Sequence, residues 1–255
     1  MSMKMKRSSL VSTLVLGSML SVAAPSQAAN WSSTSFLMHS GSGYKTVPGN
    51  TEYDQTIVTL EHADGWKYGD NFFFFDVSEP NNPNTSFYGE FSPRLSLSKI
   101  SGKDLSFGIV KDVSLAATWE FGGVTNAKLF GFGFDLDIPG VPVAKVNVYN
   151  RFGESQFAPG EVSSAPQVTL VWMAPFSIGY SNWIFEGFLD YAWAEKEVGK
   201  EDNIVAQPRL LMDVGDLWGA PKQLYAGIEY SYWMNKYGSK GVDEGVPQLT
   251  IKWTF

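Results

Sequence analysis

Eight consecutive residues at the C-terminal end constrain this chain more than any other stretch. In Gln248-Leu249-Thr250-Ile251-Lys252-Trp253-Thr254-Phe255, polar and apolar side chains alternate without a break. A two-residue period belongs to an extended strand with one wet face and one greasy face. A soluble sheet shows the same alternation, so the strand alone does not decide the setting. The opposite end of the chain adds to it. Lys4, Lys6 and Arg7 precede an apolar run from Leu10 to Ala24, and Ser26-Gln27-Ala28 supplies a small-x-small cleavage site. Residues 1–28 therefore read as a secretory signal peptide cut after Ala28. The apolar run is shorter than the roughly 20 residues of a membrane-crossing helix. An exported chain that stops on the aromatic of an alternating strand fits the closing strand of an outer-membrane barrel. There the last strand must pair with the first, because an unpaired edge in lipid leaves backbone groups unsatisfied.

Composition narrows the choice. Removing Lys4, Lys6 and Arg7 with the signal takes the net charge from −7 to −10, so nucleic acid is not an expected partner. Cysteine is absent, which excludes disulfides, thiolate metal sites and thiol nucleophiles. Aromatics make up 15% of the chain, with 18 Phe, 11 Tyr and 9 Trp, and no later apolar run is long enough for a helical span. High aromatic content, weak hydropathy and an export signal together fit a transmembrane barrel.

Residues 29–255 read as one domain of strand-like segments. Twelve can be counted, at roughly 33–40, 53–64, 68–77, 87–98, 113–122, 127–137, 143–152, 165–174, 183–194, 203–214, 222–233 and 245–255. Turn-forming clusters separate them: Gly41 to Gly49, Glu79 to Asn84, Gly122-Gly123, Pro139-Gly140, Pro159-Gly160, Gly219-Ala220-Pro221 and Gly238 to Gly245. The expected fold is all-β, a transmembrane antiparallel β-barrel of twelve strands, whose even count puts both termini on the periplasmic side. The ninth segment supplies a check of dimension. Trp183, Phe185, Gly187, Leu189, Tyr191 and Trp193 share one face, with Trp at both ends. Ten residues at about 3.3 Å each, tilted by about 45°, cover roughly 23 Å, close to the apolar band of about 25 Å between aromatic girdles.

The opposite parity collects charge. Tyr88, Glu90, Ser92 and Arg94 share a face, followed by Ser114, Thr118 and Glu120, then Asp135 and Asp137. Lys145, Asn147, Tyr149 and Arg151 continue it, with Gln167, Thr169, Glu186 and Asp190 after them, and Gln207, Arg209, Glu229 and Lys252 at the end. A dry core could not bury so many charges. A water-filled lumen can.

From Phe87 to Gly122 the chain carries Pro93-Arg94 opening an alternating strand, Lys99, and the connection Asp104-Leu105-Ser106-Phe107-Gly108. Gly131-Phe132-Gly133-Phe134-Asp135-Leu136-Asp137, Asn147-Val148-Tyr149 and the terminal aromatic follow. Together these segments resemble the Tsx family of nucleoside-specific outer-membrane channels, including its OmpK branch. The family commonly has an acidic residue directly before its Pro-Arg; this chain has Ser92 there, with Glu90 two residues earlier. The resemblance implies a monomeric twelve-stranded barrel in outer-membrane lipid that passes nucleosides by facilitated diffusion. It also implies delivery by the barrel-assembly machinery through the C-terminal strand.

A nucleoside presents a flat base and a hydroxylated ribose. A pore selective for it needs aromatic faces and charged or amide groups, each weak enough to release its occupant to the next. Stacking a base on an aromatic side chain is worth about 1–3 kcal/mol, a suitable strength. The candidate aromatics are Phe72, Phe74, Tyr88 and Tyr149, with Phe188 and Tyr225 beside them. The polar candidates are Glu90, Arg94, Asp135, Glu186, Asp190 and Arg209. Plain wall packing of the aromatics and a charge lattice that stiffens the lumen are the alternative roles for each. A slight excess of acids implies a mild preference for cations.

Two other functions stay open at this point. One is a structural or adhesive barrel with a plugged lumen. The other is an outer-membrane phospholipase-type enzyme, which would use a His-Ser pair with calcium. His39-Ser40-Gly41-Ser42-Gly43 sets a histidine near serines, but no Asp, Asn or Gln evidently orients it. His62 beside Glu61 reads as a solvated histidine near a turn, and Asp135-x-Asp137 alone is a weak calcium signal. No catalytic residue, metal or cofactor is therefore expected. Energised receptors of about 22 strands and general porins of about 16–18 need more chain than this.

Overall fold

A computed structural model describes residues 29–80, 85–123, 125–155 and 158–255. The expected signal peptide and the expected turn residues Asn81 to Asn84 lie outside the described residues. The strands are β1 (Ala29–Lys45), β2 (Glu52–Trp66), β3 (Gly69–Pro80), β4 (Ser86–Ser96), β5 (Val110–Gly122), β6 (Thr125–Leu136) and β7 (Val143–Ser155). They continue as β8 (Ala158–Ile178), β9 (Ser181–Ala192), β10 (Asn203–Ala206), β11 (Arg209–Asp213), β12 (Leu224–Met234) and β13 (Glu244–Thr254). One α-helix, α1 (Leu97–Ser101), joins β4 to β5. No helix among the described residues is long and apolar enough to cross a membrane.

Sequence neighbours pair antiparallel around the sheet, and β13 pairs with β1 in a register running from Ser35 opposite Thr254 to Gly41 opposite Gln248. The sheet is thus closed and has no free edge. Segments β10 and β11 both lie between β9 and β12, so they are two halves of one stave. The stave breaks at Gln207-Pro208, where proline has no N–H to give to a ladder. Counted this way, the described strands make a closed antiparallel barrel of twelve staves, as the alternation predicted. Ala29, where the described chain begins, and Phe255 lie at one end, here termed the terminal rim; the other end is the distal rim.

Burial is inverted relative to a soluble sheet. In β13 Gln248 is 0% exposed and Lys252 9%, while Leu249 is 73% and Trp253 57% exposed. Polar side chains turn inward and large apolar ones outward along the strand. Contiguous exposed apolar surface of this kind is what a lipid-facing wall presents. Aromatic clusters sit at the two ends of this outer wall. Phe75, Phe87 and Phe121 stack together and Tyr191 meets Trp193 toward the distal rim. Trp66 meets Tyr68, and Phe36 and Trp253 both meet Phe255, toward the terminal rim. Rings of this type belong at bilayer interfaces, where an amphipathic aromatic body fits the headgroup level.

Several expected boundaries are corrected. The strand read over 87–98 stops at Ser96, whose Oγ accepts a hydrogen bond from Lys99 N (3.1 Å) and caps α1. That bond satisfies a free helix N–H, so the local cap wins over the alternating pattern. Gly102 closes the helix at φ 68°. In the following connection Asp104 accepts from Ser106 N (2.9 Å), an Asx-type turn that explains the Asp-Leu-Ser start of that motif. Gly41 and Gly43 belong to β1, not to a turn: Gly43 takes φ 94° within a bulge between Ser42 and Tyr44, and the strand runs on to Lys45. Pro159-Gly160 lies inside β8. Asp137 falls beyond the end of β6, exposed in the turn toward β7, so it is not part of the inner face.

Candidate functional site

Two cavities follow one another along the barrel axis. The distal one measures about 240 Å³ and is bordered by Tyr44, Tyr53, Trp233 and Tyr237 with Arg151, Lys200 and Lys236. The other, toward the terminal rim, measures about 330 Å³ and is bordered by Phe72, Val171, Trp172 and Met173 with Asp70, Lys145 and Arg209. Parity delivers most of the strand residues among them, because every second residue of a strand points to the axis, whereas Lys200, Lys236 and Tyr237 come from connections.

The charges around the terminal-side cavity are mostly tied to each other. Arg209 Nε donates to Glu229 (2.5 Å), and its Nη1 reaches Glu61 (2.9 Å) and Glu186 (3.4 Å). Lys252 Nζ donates to the same two carboxylates, Glu186 at 2.8 Å and Glu61 at 3.2 Å. On the facing wall Arg94 Nη1 donates to Asp135 (2.8 Å) and lies 3.6 Å from Asp70, which also takes Lys145 Nζ at 2.7 Å. Around the distal cavity Arg151 pairs with Glu120, and Glu195 receives both Arg151 (3.3 Å) and Lys200 (3.2 Å). Lys236 donates to Glu244 at 2.6 Å.

Ile57, Phe74, Asp76, Glu90, Gln167, Phe188, Asp190 and Gln207 border both cavities and so form the collar between them. Among the described residues, ten acidic and six basic side chains border the two cavities. Seven of those acids have a Lys or Arg nitrogen within 4.0 Å. Asp76, Glu90 and Asp190, all in the collar, have none among the described residues. Thr59 Oγ1 donates to Asp76 (2.6 Å) and Tyr88 Oη to Glu90 (2.7 Å), while Asp190 Oδ1 is buried with no hydrogen-bond partner.

The ten candidates from the sequence all turn toward the axis. Phe72, Phe74, Tyr88, Glu90, Arg94, Tyr149, Glu186, Asp190 and Arg209 border the cavities, and Asp135 lies behind Arg94 as its partner. They do not form one cluster. Tyr149 is sunk among Ala116, Ala127 and Leu129, where Thr118 Oγ1 donates to its hydroxyl (3.4 Å). Arg94, Asp135, Glu186 and Arg209 direct polar atoms at each other or at further wall charges.

Glu61, Asp76, Glu195 and Lys236 were missed. Glu61 is in mid-strand on the inner face of β2 with Ile57, Thr59 and Ala63, and that parity would have found it. His62, on the opposite face of β2, bonds Thr34 Oγ1 (2.7 Å) and does not sit in a turn. His39 points inward to Thr250 Oγ1 (2.9 Å) while Ser40 faces outward, so no His-Ser pair forms there. Glu195 and Lys236 come from distal connections that fold over the mouth, which no strand period reports.

A closed antiparallel barrel with an apolar outer belt and a charged lumen is an outer-membrane channel of the porin type. The chain belongs to the Tsx family: the model of the family described as "Nucleoside-specific channel-forming protein, Tsx" matches residues 28–254. Two outer membrane proteins OmpK of Vibrio parahaemolyticus are relatives. One is 28% identical over 113 residues, covering 42% of this chain and 41% of that protein. The other, from serotype O3:K6 (strain RIMD 2210633), is 26% identical over 171 residues, covering 60% and 62%. The matched stretches therefore span less than two thirds of either relative. Among solved structures, the NanC porin aligns at TM-score 0.49 and 10% identity over 85% of this chain and 98% of its own. The KdgM porin aligns at 0.46 and 9% over 87% and 99%.

Proposed function

We propose that this protein conducts small solutes across the outer membrane by facilitated diffusion, with nucleosides as its favoured class. The observation that carries this reading is a lumen in which aromatic faces and charged groups alternate along two joined cavities. Phe72, Phe74, Tyr88 and Phe188 offer surfaces for a base, while Glu90 and Asp190 offer acceptors for hydroxyl and amine donors. Each contact is modest, which suits transfer from site to site. The family description supports the solute class. Arg94, Asp135, Glu186 and Arg209 shape the path as a fixed charged wall, and Tyr149 braces it. We place the terminal rim in the periplasm, the usual arrangement for barrels with an even strand number. The closed sheet needs no partner chain to cover an edge, consistent with a monomer in lipid inserted through its C-terminal strand.

Purified protein in planar bilayers tests the reading directly. Current steps reduced by adenosine or thymidine, but not by sugars or amino acids at equal concentration, are expected. Steps indifferent to every nucleoside would overturn the solute class. A bilayer without current steps would favour a plugged barrel closed by the connections that carry Glu195 and Lys236.

A further inference from the structure

The connection between β4 and β5 carries Lys99 and the Asp104-Leu105-Ser106-Phe107-Gly108 motif, and it borders neither cavity. Its shape is nevertheless fixed. Helix α1 is capped at both ends, and Asp104 holds the turn that follows. Phe107 and Val110 exchange two backbone hydrogen bonds of 2.9 Å, and Asp137 N donates to Ile109 O (2.8 Å). These bonds hold the connection together without a core. Helix α1 buries no side chain, and Ile100, Phe107 and Ile109 are 52%, 59% and 62% exposed. Exposed apolar groups gathered in this way mark a surface that meets a protein or a membrane. The whole terminal rim shares the feature. Tyr68, Ile138, Tyr180, Leu217 and Trp218 are exposed in the other four connections at that end. A protein docked at one point would cover one side of such a ring, whereas a bilayer meets all of it. The rim also continues the outer wall, since exposed Leu95, paired with exposed Leu115, stands two residues before Leu97. Charge singles out the β4–β5 connection among the five. On a chain of net charge −7, it and the start of β5 expose Lys99, Lys103 and Lys111. None of these lysines has a carboxylate oxygen within 4.0 Å among the described residues. The acids nearby are occupied: Asp104 accepts from Ser106 N, and Asp112 from Val113 N (2.9 Å).

We propose that residues 97–111 are a phospholipid-binding foot of the barrel: Ile100, Phe107 and Ile109 enter the bilayer interface beside the terminal rim, and Lys99, Lys103 and Lys111 take the phosphates of anionic headgroups. A segment that lies in the interface plane is held by its buried apolar area together with the attraction of its lysines to anionic lipid. The lysine stems cover apolar surface while their ammonium groups stay at headgroup level. The foot lies outside the lumen, so lipid binds it whatever solute the pore carries.

The test uses the full barrel in phosphatidylcholine vesicles with and without phosphatidylglycerol. Because the chain has no cysteine, a bimane fluorophore on S106C reads the foot alone. A second label on T51C, in the connection between β1 and β2 at the distal rim, is the control. The S106C label is expected to be quenched by lipid bearing a spin label near its headgroup and shielded from aqueous iodide. The T51C label should show the reverse. Spin-labelled phosphatidylglycerol should quench S106C more strongly than spin-labelled phosphatidylcholine, and that preference should fall about fivefold for each lysine removed in K99Q, K103Q and K111Q. I100S/F107S/I109S should open the label to iodide while heat-modifiable migration and current steps stay as in wild type. If that variant fails to fold, F107S alone reads the same change. Iodide quenching of the otherwise wild-type foot, without quenching by lipid, overturns the proposal. So does shielding that appears only at a high protein-to-lipid ratio, which marks a second copy of the chain as the occupant. Lipid quenching that is equal for the two headgroups overturns the anionic site and keeps the apolar contact.

Discussion

Arg209 is the place where the charged wall can be weighed. Its guanidinium and the Lys252 ammonium together hold three carboxylates, Glu61, Glu186 and Glu229. Arg209→Gln leaves those three with one cation, and Lys252 has no contact within 4.0 Å of Glu229 among the described residues. The Glu229 side chain is only 2% exposed and would keep Gln248 Nε2 (2.9 Å) and His39 Nδ1 (3.7 Å) as its polar neighbours. Removing one partner of a buried ion pair costs about 3–5 kcal/mol, whereas an exposed pair is worth about 0–1 kcal/mol. The partial exposure of Arg209 to the lumen places the expected loss at the low end of the buried range, about 3 kcal/mol, or roughly a hundredfold in the folding equilibrium. Glu229→Gln alone leaves two cations for two carboxylates and should cost about 1 kcal/mol, one hydrogen bond's worth. The double variant leaves Lys252 with Glu61 and Glu186, the same net charge as the wild-type set of two cations and three carboxylates, and should be less destabilised than the sum of the singles by about 1 kcal/mol or more. Urea unfolding of the barrel in lipid vesicles, followed by the fluorescence of the nine tryptophans, measures all three. An Arg209→Gln loss below about 1 kcal/mol, together with additive singles, would refute the reasoning and mean that lumen water screens these pairs as it does surface ones.

Three further outcomes are expected. Gly133→Ala puts a Cβ 2.5 Å from Asn147 Oδ1 and 2.7 Å from Arg94 Nε, forcing Arg94 off Asp135, and should cost about 1–3 kcal/mol in the same urea assay. Leu249→Arg places a charge on the outer wall and should cost about 2–4 kcal/mol if that wall meets mid-bilayer lipid, a penalty absent if it meets water. Because the chain has no cysteine, single cysteines report parity cleanly: Ser92→Cys should react with a charged, water-soluble thiol reagent and lower the conductance, and Phe91→Cys should not. Equal reactivity at the two positions would sink the assignment of faces.

Alternation was legible wherever one strand carried both kinds of side chain. β13 and β9 could be read residue by residue, and the count of twelve followed from turn residues between such runs. Legibility failed where a local hydrogen bond or a non-local neighbour decided. Ser96 caps a helix through Lys99 N, a choice that Ser96-Leu97-Ser98 does not reveal because the same residues also alternate. Asp76 was overlooked because Phe72 to Phe75 are apolar on both faces, so the strand has no parity to read until its partner Glu90 on β4 fixes it opposite Phe74. The charged wall was legible as a set of inward residues, but its pairs were not. Arg209 and Glu61 are 148 residues apart and meet only when the sheet closes. The facing of Phe74 by Phe188 likewise depends on strand order around the ring, which no single segment contains.

The pairing of charges bears on how a solute would travel. A lysine or arginine already held by a carboxylate at 2.5–2.9 Å has little to offer a passing hydroxyl, since the new bond must replace a charge-assisted one. Such a wall presents fixed polarity, keeps long side chains out of the path, and binds solutes weakly. The collar is different, because among the described residues its carboxylates accept only neutral donors or none, and Phe74 and Phe188 border both cavities. A solute meets there both rings for stacking, worth about 1–3 kcal/mol, and acceptors not already held by a cation. That gain is large enough to discriminate and small enough to release, the balance a diffusion pore requires. Moving a cation into the collar, for example by Gln207→Lys, should therefore abolish cation preference while leaving the paired wall intact, and a reversal potential unchanged by that substitution would show that the field is set elsewhere.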